Sequence, residues 1–82
     1  MAKYDVYKDG EGDWTIVPEG QKIVAPVDVI AMNGAAAATL ADVERIANTK
    51  RAGFEANRTH VKSQSVVNRF GPYELAGSIE VA

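Results

Sequence analysis

A small single-domain α+β fold is predicted, with a mostly antiparallel sheet and one helix packed on it in the order βββαββ. Three features predict it. Two alternating runs flank a glycine–acid turn near the N-terminus, one alanine-rich stretch has helical spacing, and Tyr73–Val81 alternates with period two. At 82 residues, the chain (1–82 as one domain) can bury a single core with little margin. No internal repeat or linker interrupts it.

The elements follow in order. Lys3–Lys8 reads as a strand, with Tyr4 and Val6 on one face and Asp5 and Tyr7 on the other. Asp9–Asp13 (DGEGD) is turn chemistry, since its glycines adopt positive φ without steric cost. Asp13–Pro18 returns as a second strand, Trp14 and Ile16 alternating with Thr15 and Val17, and Pro18 has no N–H with which to continue a ladder. A hairpin over 3–18 results. Lys22–Met32 is apolar and β-branched, which predicts a third strand buried on both faces over part of its length. Pro26 puts that strand at an edge, at a bulge, or at the meeting of two short strands.

A helix is expected near 39–52. Leu40, Val43, Ile46 and Ala47 recur at helical spacing, and Thr39 is a candidate N-cap with Asp42 three residues on. Lys50 and Arg51 would occupy its last turn and Gly53 the left-handed residue that ends it. Asn33 is an alternative cap that would add the alanine run as a further turn. Phe54–Val67 alternates well enough to predict a fourth strand, with Phe54, Ala56, Arg58, His60, Lys62 and Gln64 sharing one parity. Gly71–Pro72 turns the chain into the last strand, Tyr73–Val81, with Tyr73, Leu75, Gly77, Ile79 and Val81 facing inward.

The net charge of −2 hides a strong asymmetry. Residues 1–44 hold three lysines against eight acids, residues 45–70 hold six bases against Glu55 alone, and Glu74 and Glu80 close the chain. Such a division suits either a polyanion or head-to-tail contact between copies. If Arg58, His60, Lys62 and Gln64 share one strand face, they form a basic line roughly 20 Å long, flanked by Phe54 and Phe70.

Chemistry-bearing constellations are scarce. The chain has no cysteine and one histidine, so it lacks thiolate metal sites, disulfides and a thiol nucleophile. No nucleophile elbow or phosphate-binding glycine loop is present. Asp9, Glu11 and Asp13 have the opening spacing of a calcium loop, but the bidentate glutamate position falls on Gly20 and the central glycine position on Trp14. As a carboxylate pair for hydrolysis, these acids sit on a hairpin tip in a chain expected to be too small to wall a cleft around them. No cofactor and no enzymatic activity are therefore expected.

In outline, Lys3–Gly20 (KYDVYKDGEGDWTIVPEG) resembles the opening of the HicB-like antitoxins: a strand, an acidic glycine-containing turn with an aromatic, then a strand ending in proline. The glycine–threonine helix entry of that family is stretched here, with Gly34 and Thr39 five apart. The resemblance implies a hairpin and carries no toxin-binding function over.

The expected function is a non-enzymatic protein-binding or assembly subunit. It would be a small structural or accessory protein of viral or phage type that forms a homo-oligomer or docks on a larger partner. The alternative is a single-stranded nucleic-acid-binding module using the basic segment 45–70. In either case the contact residues are Arg51, Arg58, His60, Lys62 and Arg69. With no apolar signal segment and no run of about 20 apolar residues, the chain is expected to be soluble, cytoplasmic or virion-associated, with no membrane partner.

Overall fold

The computed structural model describes residues 2–82. β1 (Ala2–Lys8) and β2 (Trp14–Pro18) form the expected antiparallel hairpin, with Val6 opposite Ile16 and Lys8 opposite Trp14. One oxygen of Asp9 holds the turn by accepting the N–H groups of Glu11 and Asp13 at 2.8 and 3.0 Å. There follow β3 (Val27–Met32), α1 (Leu40–Thr49), α2 (Arg51–Ala56), β4 (Arg58–Val61), α3 (Gln64–Phe70) and β5 (Glu74–Val81). The five strands form one antiparallel sheet in the order β4-β3-β2-β1-β5.

Both sheet faces carry apolar side chains, so the sheet is covered twice. On one face Tyr4, Val6, Trp14, Ile16, Ile30 and Ile79 pack against Val43 and Ala47 of α1 and Phe54 of α2. On the other, Val17 and Val27 pack against Val67 of α3, with Tyr7, Ile23 and Tyr73 around them. β2 is the centre of the sheet, and Trp14–Val17 are buried on both faces. The Trp14 indole N–H donates to the Ala37 carbonyl at 2.8 Å. The alanine run is therefore a turn clamped on the core rather than an extra helical turn.

Thr39 caps α1 as expected. Its hydroxyl accepts the Asp42 N–H at 3.3 Å, and the Asp42 carboxylate accepts the N–H groups of Thr39 and Ala38. The end of the helix differs from expectation. α1 stops at Thr49 with no basic residue in its last turn, Lys50 kinks away at φ −119°, and helix resumes as α2 with Gly53 inside it. Phe54 accounts for this: one more helical turn sets its ring edge-on to Tyr4 at 5.5 Å, and the residue is buried. An apolar anchor thus outweighs glycine's weak tendency to end a helix.

Three other expectations are corrected. The third strand begins at Val27; Lys22–Pro26 lies outside the sheet, with Ile23 and Ala25 against the second core. The fourth strand keeps only Arg58–Val61 of the expected Phe54–Val67, because α2 takes its start and α3 its end. In α3, Val67 reaches the core while Val66 and Phe70 follow it around the helix, a spacing that a period-two reading cannot accommodate.

In β5 the alternation breaks. Pairing passes from Val6–Gly77 to Tyr7–Leu75, which leaves Ala76 as an extra, bulged residue. Ile79 and Val81 face the core as expected, but Leu75 turns to the opposite face and is 63% exposed. Gly77 sits at φ 148° under the side chain of Leu40, where a Cβ would press on Leu40 Cδ2.

Candidate functional site

Of the five residues expected to make contacts, Arg58 and His60 lie on one face of β4, two positions apart. Arg51 opens α2 and Arg69 lies near the end of α3, helices that cover opposite faces of the sheet. Lys62 follows β4 in the connection to α3. The predicted 20 Å basic line does not form: Gln64 begins a helix, and Phe54 is buried rather than offered for stacking.

The two bases on β4 also have acidic partners within the chain. The Arg58 guanidinium meets Glu55 at 3.1 Å, and His60 Nδ1 lies 2.7 Å from an Asp28 oxygen across the β3–β4 ladder. Glu55 also accepts the Tyr4 hydroxyl at 3.3 Å; burial first, then the Glu55 charge, raise the Tyr4 phenol above its ordinary value of 10.0. Lys62, Arg51 and Arg69 make no ion pair among the described residues, and Arg69 rests 5.3 Å from the centre of the Phe70 ring.

The most developed surface feature is one that charge did not reveal. An open groove of about 780 Å³ runs from the α3 side of the sheet, with Val27, Val29, Ala31, Thr59 and Val61 as its floor, round the end of β3 to Ile46, Lys50, Gly53 and Phe54 on the α1–α2 side. Val66 and Phe70 of α3 wall it, and Val66 is 40% exposed. Asp9, Glu11 and Asp13 line it from the hairpin tip, where they were expected to stand clear of any cleft. The cleft exists because α3 covers only part of this face: Val17 and Val27 are sealed, whereas Ala31 and Thr59 are exposed. Its sequence signal is the β3 run itself, apolar at both parities yet longer than its helical cover.

The groove adjoins a free sheet edge. The Ala31 N–H bonds to the Asn57 carbonyl, so Ala31, Val29 and Val27 turn their backbone groups to β4, whose Thr59 and Val61 turn theirs back. The alternation leaves the N–H and C=O of Arg58 and His60 pointing away from the sheet. The opposite edge is treated differently. On β5, the Glu80 N–H donates to Glu44 at 3.0 Å, the Asn48 amide donates to the Glu80 carbonyl at 2.9 Å, and the Ala82 N–H donates to the Asn48 oxygen at 2.9 Å. α1 thus plugs the end of one edge with side chains and the bulge at Ala76 disrupts the rest, while the β4 edge carries neither device.

Among the described residues, no helix is long and apolar enough to cross a membrane. Comparison with known protein families, curated proteins and solved structures finds no match for this chain.

Proposed function

We propose that this chain is a non-enzymatic protein-binding module that takes a segment of a partner protein into the groove beside β4. The observation that carries this reading is the coincidence of an apolar groove of about 780 Å³ with the β4 edge, which no side chain caps among the described residues. A groove of this size is within the range of binding sites. An open edge beside it would be a liability in a protein that does not use it. A structural or assembly role, including a subunit of a larger particle, is one form of such binding. The single-stranded nucleic-acid alternative draws less support, because the long basic line does not form and Phe54 is buried rather than offered for stacking.

The test is selection from a displayed library of random peptides on the folded chain and on an Ala31→Arg variant. Ala31 is an exposed floor residue, so arginine there fills the groove without entering either core. Peptides that survive washing on the native chain and are lost on the variant support the reading. Retention of no peptide, or equal retention by both proteins, rejects it.

A further inference from the structure

We infer that the β4 edge receives an extended partner strand in which acidic and apolar side chains alternate. This rests on the protein-binding reading and names the partner's chemistry.

The backbone of β4 sets the mode. Arg58 and His60 each direct one N–H and one C=O away from the sheet, a four-group ladder ready for one more strand. β4 is exposed along its length except for half-buried Val61, and no side chain caps it as Glu44 and Asn48 cap β5. An added strand lies about 4.8 Å away, and its side chains alternate between the two sheet faces. On one face they lie beside Thr59 and Val61 and over the groove, where apolar groups remove water from Val29 and Val66.

On the other face they lie beside Arg58 and His60, with Lys62 next along the chain. Glu55 and Asp28 approach these bases from inside the fold, from α2 and β3, and both basic side chains remain about half exposed, at 50% and 49%. The guanidinium of Arg58 has further donors, and Lys62 is without an ion pair among the described residues. Carboxylates at alternate positions of the incoming strand complement this row.

The same row argues against a symmetric pair of copies. Joining two β4 edges about a two-fold axis keeps the faces in register, and the register centred on Arg58 sets it opposite Arg58 of the second copy. Like charges placed directly opposite destabilise a ladder. The occupant favoured is a foreign strand.

The test measures binding of fluorescent peptides to the full chain by anisotropy. The probe alternates glutamate and valine; one control replaces glutamate with lysine, and a second groups the glutamates and valines in two blocks. The alternating acidic peptide is expected to bind at least about tenfold more tightly than either control, and to weaken as salt is raised. N-methylation of its alternate amides is expected to abolish binding in one of the two registers. His60→Pro removes an outward N–H that the fold itself does not use, and is expected to abolish binding while circular dichroism stays native. Equal binding of the lysine peptide, indifference to N-methylation in both registers, or preference for single-stranded DNA would overturn the inference. So would light scattering that shows two-fold dimers competing with the peptide. Library peptides that bind the groove without alternating charge would reject this inference and leave the protein-binding reading standing. Failure of every peptide would reject both.

Discussion

Asn48 on α1 holds Ala82 at the end of β5: its side-chain oxygen accepts the Ala82 N–H at 2.9 Å, while its amide donates to the Glu80 carbonyl at 2.9 Å. One side chain thus occupies two outward groups of an edge strand, together with Glu44 at the Glu80 N–H. Replacing Asn48 with alanine removes both bonds and a third, from its amide to the Glu44 carbonyl, at a net cost of about 1 kcal/mol or slightly more. The melting temperature should fall by roughly 4–8 °C in calorimetry. The uncovered edge should also raise the concentration-dependent mass seen by light scattering, which an ordinary surface substitution would leave unchanged.

Trp14 anchors the segment before α1 through its bond to the Ala37 carbonyl, and Lys8 lies 4.0 Å over its ring. Trp14→Phe leaves that carbonyl unpartnered in the core. The expected loss is about 1–3 kcal/mol, read from urea denaturation. Lys8→Ala, which removes only the cation over the ring, should cost less, about 0.5–1 kcal/mol.

Leu40 covers Gly77 where β5 bulges. Gly77→Ala meets two obstacles, the φ of 148° and the leucine methyl, and should destabilise by about 1–3 kcal/mol from the backbone alone. Adding Leu40→Ala relieves the collision but not the backbone. In a double-mutant cycle the second substitution should therefore cost less in the Gly77→Ala background than in the native one.

Asp42 titrates below its ordinary 3.8, first because the Thr39 and Ala38 N–H groups bind its charged form, then through the Thr39 hydroxyl and Arg45. A carboxylate whose folded pKa is depressed stabilises the fold above its unfolded pKa, and that contribution fades as pH falls through the folded pKa. The melting temperature gap between the native chain and Asp42→Asn should therefore be full at pH 7 and narrow as pH is taken below the ordinary 3.8. Thr39→Ala, which removes the hydroxyl half of the cap, should cost about 1 kcal/mol at pH 7.

The fold class, the hairpin, the cap at Thr39 and the final strand were legible because each rests on a local rule: alternation, turn glycines or a capping pair. Phe54 and Val66–Phe70 were not. Their conformation is set by distant contacts, Tyr4 for Phe54 and the Val17–Val27 cluster for Val67, and a four-residue strand between two short helices leaves little period to read. Leu75 reads as core-facing by parity because a bulge shifts the alternation without marking the sequence, save for Gly77. The basic residues were visible, but their acids Asp28 and Glu55 were not, since pairing across strands depends on register. The groove has no sequence mark of its own, because its floor residues look like ordinary strand core.

The unequal treatment of the two sheet edges also sets the valence of the molecule. Growth of a sheet from copy to copy needs a donor edge and an acceptor edge on every unit. Here β5 is plugged by Glu44 and Asn48 and broken by its bulge, which among the described residues leaves β4 as the uncapped edge. A unit of this kind ends a ladder instead of extending it. A complex formed through β4 as proposed would saturate at one strand per chain, and raising the concentration would fill the site without spinning a fibre.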